Sequence, residues 1–317
     1  MRLGCAAKIG IIIAVLLGLL SLSLVFPIPQ PHVEPAPERL TGELFEIAGQ
    51  PFYLTGTLLA SWLTIAVLCG IYFLFWRKAE LAPSAFQSAL EWPLEWLYNL
   101  VADTVGRERA WKIFPVVSTI FLYVIMNAWL SLLPGFGSIG LGEWISAEEG
   151  FESAFFGHIH RDCFVVHAPI LRGANTDINV PLMLALVSAV TWTYWGFKSH
   201  GLPYLEKFFR FSSLAAAFKA RGFKGKIFGL FRGLLDIFVG ILELISEIIR
   251  IVSFTFRLFG NMTAGEVMIF ILAFLIPCAI PSVFYGLEMF FGFVQALIFG
   301  GLTLAFIAVA ILPHKGE

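Results

Sequence analysis

Long apolar runs separated by shorter polar segments are the main pattern of this chain. A segment of about 20 apolar residues can cross the hydrocarbon core of a bilayer as a helix. After an N-terminal apolar run, this criterion predicts five membrane segments, at about 53–76, 113–133, 180–197, 234–276 and 281–312. The fourth is far longer than a perpendicular crossing requires and is expected to tilt. The pattern predicts an all-α, multi-pass membrane protein whose last two helices form a long, tilted antiparallel hairpin.

The N-terminal part contains an apolar run and a proline-rich segment. Residues 1–26 place Arg2 and Lys8 before apolar residues, which is typical of either a retained anchor helix or a cleaved signal sequence. Residues 27–52 begin with closely spaced prolines and are expected to form an external linker. The remainder, 53–317, is expected to form one membrane domain. Its tryptophan-containing segment 84–111 has the character of an amphipathic helix at the membrane surface.

The composition supports a membrane protein and the charges orient it. Apolar residues make up 58% of the chain and charged residues 14%, whereas soluble domains contain about 45–50% and about 25%. Soluble enzymes and nucleic-acid binders are therefore excluded. Residues 135–179 carry two basic and six acidic side chains, whereas 198–232 carry eight basic side chains and one acid. Because basic loops stay on the cytoplasmic side, we expect loop 135–179 outside, loop 198–233 inside and a cytoplasmic C-terminus.

Sequence motifs for nucleotides and metals are incomplete. The glycine-containing stretches 135–140 and 220–227 lack the flanking elements and residues of nucleotide-binding motifs, so we expect no cofactor and no direct binding of ATP. A group of potential ligands in the external loop lacks known metal-site spacings and favours a solvated loop over a metal site; its members are His158, His160, Asp162, Cys163 and His167.

Ionisable residues inside the last two apolar stretches are the strongest functional signal. A charge at mid-membrane costs from about 3 to over 10 kcal/mol, so such residues face a cavity or a partner. Arg257 continues a polar helical stripe that begins with four earlier charges, Asp236, Glu243, Glu247 and Arg250. Glu266 lies nine residues further on, about 180° around the helix, so it forms no intrahelical ion pair with Arg257.

The antiparallel hairpin predicts which of these residues lie at equal depth. With a turn near Pro277–Pro281, Arg257 is level with Gln295, and Glu266 is level with Glu288. Two carboxylates at one depth repel each other, so the pair is expected to hold a shared proton and to pass protons on. A fixed cation near such a pair indicates a proton path.

At these residues the sequence resembles subunit a of the F-type ATP synthase. The stretch Arg257-Leu-Phe-Gly-Asn-Met-Thr-Ala-Gly-Glu266 is similar to that family's signature, and Gln295-Ala-Leu-Ile-Phe is similar to its last-helix motif. Two further stretches are similar to family patterns, Met126–Gly135 and Arg172–Asn179. The resemblance extends over about 53–312 and leaves out the first 50 residues and the 138–168 loop.

The resemblance implies roles for individual residues. Arg257 corresponds to the family's indispensable arginine, which faces a carboxylate of the rotating c-ring. Other polar residues are implied to line the proton path: Glu266, Glu288, Gln295, Asn261, Ser253 and Asp177. Four residues belong to the structural motifs: Asn127, Pro134, Gly260 and Gly265.

The resemblance also implies an activity and partners. The chain would be a stator subunit without a catalytic site of its own, providing two offset half-channels that Arg257 separates. Its partners would be the c-ring, subunit b of the peripheral stalk and the rest of the F1Fo complex, in the inner (plasma) membrane. The alternative is a stand-alone ion or proton-coupled transporter. Such carriers often contain inverted repeats, and the first half of this sequence has no counterpart of the Arg257 region.

Overall fold

The computed structural model describes most of the chain from residue 39 onward. The described residues are 39–78, 85–133, 136–145, 151–153, 157–159, 163–204, 223–275 and 279–312, except 42, 44, 48, 138 and 202, together with Gly18. The predictions for segment 1–26 and for most of the linker 27–52 therefore fall outside the described residues, as does Pro134.

Six long helices make up most of the described part. They are α1 (Gly56–Lys78), α2 (Ala85–Val105), α3 (Arg107–Ser131), α4 (Asn179–His200), α5 (Phe223–Leu275) and α6 (Ala279–Ile311). Within the described residues, α1, α3, α4 and α6 contain stretches that are long and apolar enough to cross a membrane. The prediction of a mostly helical multi-pass membrane protein is confirmed.

Helix α5 is longer than predicted. It has 53 residues, which at about 1.5 Å per residue gives a length of roughly 80 Å. It begins at Phe223 rather than near residue 234, so the end of the expected loop 198–233 is helical. The helix extends this far because Phe223, Ile227 and Leu230 keep the apolar spacing of the later turns.

Helices α2 and α3 are separated by a single glycine. Gly106 has φ of +84°, a left-handed conformation that ends helices and that side chains with a Cβ rarely adopt. On α2, Trp92 and Trp96 are exposed, as an amphipathic surface helix requires.

The segments that precede α1 and α4 contain short antiparallel strands, which the sequence analysis did not predict. Strands β1 (Phe45–Ile47) and β2 (Gln50–Phe52) pair just before α1. Between α3 and α4, β3 (Gly140–Ile145) pairs with β6 (Cys163–Pro169), and β4 (Phe151–Ser153) pairs with β5 (Gly157–Ile159). A Cβ on Gly142 would collide with the backbone of Val165, so glycine permits the close approach of β3 and β6.

The chain forms two compact units. The first comprises Met1–Pro83, Phe121–Ile178 and Leu258–Leu297. In it, α6 packs closely on α3: a Cβ on Gly292 would lie 2.8 Å from that of Ala128. The Trp129 indole N–H donates a hydrogen bond to the Met289 carbonyl (3.1 Å) in the same region.

The second unit comprises Ser84–Ile120, Asn179–Arg257 and Ile298–Glu317. Its core contains a cluster of aromatic rings around Trp192 of α4. The Trp192 ring lies 6.0 Å from Phe254 of α5 and 5.3 Å from Phe306 of α6, measured between centroids. Beside this cluster, Thr303 donates a hydrogen bond to Ser188 (3.0 Å), and both side chains are fully buried.

Trp192 is expected to be the main packing residue of the second unit. Trp192→Ala removes a side chain that is only 2% exposed and should lower the free energy of unfolding by about 3 kcal/mol through the cavity it leaves. Thermal denaturation of the detergent-solubilised complex measures this change. The matched control is Tyr194→Ala on the same helix, where the side chain is 56% exposed. Equal losses for the two variants would contradict the assigned core.

Candidate functional site

Helix α5 presents different residues to its two faces. Its residues Phe254, Leu258, Met262 and Gly265 are buried, whereas Ser253, Gly260, Asn261 and Ala264 are exposed. Arg257 is partly exposed and continues the exposed stripe by helical spacing. Its guanidinium lies 5.9 Å from the centroid of the Phe254 ring. Within the described residues, no hydrogen bond or ion pair involves Arg257.

Glu266 is held by an arginine from the segment before α4. The Arg172 Nε lies 3.2 and 3.3 Å from the two carboxylate oxygens of Glu266, and Nη2 lies 3.1 Å from Oε2. Arg172 is only 6% exposed and the Glu266 side chain 18%. This geometry makes the ion pair a charge-assisted fork, which is stronger and more directional than a single hydrogen bond.

Glu288 of α6 lies next to the same turn of α5. It is 7% exposed, and a Cβ added to Gly265 would collide with its carboxyl group. The absence of a side chain at Gly265 therefore creates the space that the Glu288 carboxyl group occupies. No ion pair of Glu288 is present in the part of the chain that the structure describes.

The two acids line one cavity in the first unit. Its volume is about 60 Å³, which would admit a few water molecules. The polar part of the lining is contributed by Asn127, Ser131, Arg172, Asn175, Thr176, Glu266, Tyr285 and Glu288, and apolar residues such as Met262 and Phe270 complete it. A small cavity with this many polar groups suits hydration rather than an apolar ligand.

A buried network of hydrogen bonds ties the wall of this cavity to two helices. Asn127 of α3 donates from Nδ2 to the Thr64 hydroxyl of α1 (3.0 Å) and accepts the backbone N–H of Asn175 at Oδ1 (3.1 Å). The Asn175 amide donates to the Val124 carbonyl (3.3 Å). Because Asn175 is 1% exposed, these bonds satisfy polar groups that water does not reach from the surface.

Asp177 lies in this network rather than in the cavity lining. Its carboxylate accepts a hydrogen bond from the Thr57 hydroxyl (2.9 Å), close to the start of α1. A carboxylate is stabilised at this position because the N-terminus of a helix carries partial positive charge. The geometry therefore favours an anchoring contact between the 3₁₀ turn at Ala174–Thr176 and α1.

The structure thus brings only some of the expected site residues together. Glu266, Glu288 and Asn127 line the cavity, whereas Asn261, Asp177 and Gln295 of the same unit do not. Gln295 is buried at 7% exposure. No group of three or more potential metal ligands occurs in the described residues. The side chains of the external group around His158 and His167 lie outside them.

Sequence reasoning missed the residues that surround the two acids. It assigned Arg172 to a motif in the external loop and predicted no ion-pair partner for it. It did not single out Thr64 or Asn175. One signal was present for Arg172, since it and Arg161 are the two lysine or arginine residues in 135–179. Thr64 lies within an apolar run and gave no such signal.

The contact between Gly265 and Glu288 predicts the effect of one added methyl group. Gly265→Ala should displace the Glu288 carboxyl group; on the proton path that the resemblance implies, this should lower proton translocation per assembled complex by about tenfold, because proton transfer depends on ångström-scale placement. Proton translocation by membrane vesicles measures the effect. Gly286→Ala on α6 is the control, since a Cβ there meets nothing within 4 Å. Equal rates for the two variants would show that the position of Glu288 does not matter.

Comparisons with known proteins show which family the chain belongs to. A family model described as "ATP synthase A chain" matches residues 58–308. The chain is also similar to a protein named "ATP synthase subunit a" from Gloeobacter violaceus, with 26% identity over 258 residues that cover 81% of this chain and 84% of that protein. The match extends over nearly all described helices and includes Arg257, Glu266 and Glu288. The chain therefore belongs to the ATP synthase A chain family, the membrane subunit a of the Fo sector.

Proposed function

We propose that this chain is the proton-translocating stator of a rotary ATP synthase, with two offset half-channels separated by Arg257. The observation that carries the proposal is the environment of Arg257. It lies in a helix of mostly apolar residues, on the exposed stripe, and no hydrogen bond or ion pair to it occurs in the described residues. An arginine is costly in hydrocarbon unless it is paired, so a partner subunit is expected to supply the anion.

The surface next to Arg257 supports the c-ring as that partner. A shallow apolar groove on α5 is lined by residues that include Gly260, Thr263, Ala264 and Val267. Small residues at this spacing allow another transmembrane helix to approach closely. Ser253 and Asn261 are exposed on the same stripe and would line the proton path at this interface. The proposed c-ring helix would bring its carboxylate opposite Arg257.

The cavity around Glu266 and Glu288 is proposed to belong to the half-channel that opens to the outside. Its polar lining suits water, and the buried Asn175 Oδ1 has no hydrogen-bond partner among the described residues, which makes it an acceptor for a water molecule. Protons would enter from outside, pass Glu288 and reach a rotor carboxylate. They would leave to the cytoplasm on the other side of Arg257.

Arg257 would keep the two half-channels apart. Its fixed positive charge favours the ionised rotor carboxylate opposite it and repels a proton that would otherwise pass directly between the channels. The transmembrane potential supplies about 2.3 kcal/mol per charge for each 100 mV. Gln295 would complete the polar environment of this region on α6.

The remaining partners and the orientation are also proposals. Subunit b of the peripheral stalk would hold the chain against rotation, and the nucleotide chemistry would take place in F1. The lysine- and arginine-rich segment 198–232 supports a cytoplasmic C-terminus, and the complex would lie in the inner membrane of the cell. No separate observation favours a stand-alone transporter.

Replacement of Arg257 tests the proposal most simply. Arg257→Ala should abolish ATP-driven proton pumping and ATP synthesis while the complex still assembles. Arg257→Lys should restore little activity, since lysine lacks the planar, permanently charged fork. The matched control is Arg250→Lys on the same helix, which keeps a positive charge beside Glu247 and should leave coupling intact. ATP synthesis by Arg257→Ala vesicles at the parent rate under an imposed proton gradient would refute the proposal.

Replacement of the two acids tests the entry path. Glu266→Gln and Glu288→Gln should each slow proton pumping without the complete block expected at Arg257. The double variant should lower the pumping rate by a factor much smaller than the product of the two single reductions, because residues that interact are not independent. Pumping rates normalised to assembled complex, for both single variants and the double variant, measure the coupling. Multiplicative effects would show that the carboxylates act separately.

A further inference from the structure

Arg172 is a buried cation in the wall of the cavity. Its Nε and Nη2 atoms contact both oxygens of Glu266 at 3.1–3.3 Å, and the residue is 6% exposed. A buried arginine is costly unless it is paired and hydrogen-bonded, and removal of one partner leaves the other charge uncompensated. The pairing of Arg172 with Glu266 therefore fixes the position of this carboxyl group in the cavity wall.

The backbone around Arg172 is fastened on two sides. The 3₁₀ turn that begins two residues later is held to α3 through the backbone N–H of Asn175 and the side chain of Asn127. Asp177, one residue beyond the turn, is held to α1 through Thr57. A Cβ on Gly173 would lie 3.0 Å from the Ser131 Cβ, so the chain next to Arg172 lies directly on α3. Arg172 thus extends from a rigid support.

The two acids of the cavity consequently have different surroundings. Glu266 is paired with Arg172, whereas no cation pairs with Glu288 in the described residues. Besides Arg172, Glu266 and Glu288, the titratable side chain in the described lining of the cavity is Tyr285 of α6. We propose that Arg172 is a positioning residue that holds the Glu266 carboxyl group in place and compensates its charge, so that Glu288 is the acid that takes up and releases the proton. This inference rests on the proposed function of the cavity as an entry half-channel.

The experiment compares charge variants in the complete complex. ATP-driven proton pumping by inverted vesicles is measured at several pH values and normalised to the amount of assembled complex. Arg172→Gln should lower pumping per complex by at least about tenfold, because it leaves the Glu266 charge uncompensated. The control is Arg39→Gln, which removes an exposed arginine from the same side of the predicted topology; this variant should pump like the parent.

Rescue separates a role in proton transfer from a role in folding alone. Adding Glu266→Gln to Arg172→Gln removes the uncompensated charge, and pumping should return to within about threefold of the Glu266→Gln single variant. The pH dependence of pumping should change in Arg172→Gln and return in the double variant. A purely structural role would lower the amount of complex but leave the rate per complex and its pH dependence unchanged.

A conservative variant keeps the test decisive if Arg172→Gln lowers assembly. Arg172→Lys retains the charge but lacks the fork, so its pumping per complex should lie between that of the parent and that of Arg172→Gln. If Arg172→Gln does not assemble, Arg172→Lys is compared with Arg39→Gln and should pump well below it. Pumping by Arg172→Lys and Arg172→Gln equal to that of Arg39→Gln would overturn the inference, as would a double variant no better than Arg172→Gln. Continued pumping by Arg257→Ala would instead overturn the proposed function.

Discussion

The cost of an unpaired charge in an apolar membrane helix governs the arrangement of α5. The helix carries Arg257 on its exposed stripe and, nine residues later, Glu266 on its buried side. Glu266 receives its counter-charge from Arg172 of the same chain. Arg257 receives none from the described residues, and an unpaired arginine in hydrocarbon has a functional explanation by default. The same constraint thus produces an internal ion pair on one face and an expected intermolecular one on the other.

The internal ion pair in turn requires a rigid support. Arg172 is not on a helix, so the segment that carries it depends on side-chain hydrogen bonds from α1 and α3. Asn127 joins Thr64 of α1 to the backbone at Asn175, and Thr57 holds Asp177. Within a membrane such buried polar contacts stabilise association because the alternative is an unsatisfied group in hydrocarbon. The aromatic cluster around Trp192 packs the second unit, and the Arg250 guanidinium lies 4.2 Å from the centroid of its Phe306 ring.

Much of the architecture was predictable from the sequence, because membrane helices follow from apolar length alone. The four apolar spans and the polar stripe that leads to Arg257 needed only hydropathy and helical spacing. The extent of α5 to Phe223 was missed because Lys224 and Lys226 interrupt the apolar run, although helices tolerate lysine well. The strands β3 and β6 were missed because their pairing joins residues far apart in the sequence, from Ile145 with Cys163 to Gly140 with Pro169, and glycines at 140 and 142 lower the strand propensity.

The candidate site was predictable only in part. Glu266 and Glu288 were expected at equal depth from the residue numbers of an antiparallel hairpin; both line one cavity, and the register of the hairpin stays a prediction. The contact of Glu288 with Gly265 could not be predicted from the sequence, because it depends on the absence of a side chain at Gly265. Nor could the pairing of Arg172 with Glu266, because the two residues lie 94 positions apart and a loop determines where the guanidinium lies.

Disulfide crosslinking to the rotor tests the central claim most directly, namely that the exposed stripe of α5 around Arg257 faces the c-ring. Single cysteines at Ser253, Gly260 and Ala264, each exposed, are compared with cysteines at Leu258 and Met262, which are buried. Each is paired with a cysteine one turn from the rotor carboxylate in the assembled complex. The account predicts crosslinks from the exposed positions and none from the buried ones. Crosslinks from Leu258 or Met262, with none from the exposed stripe, would contradict it.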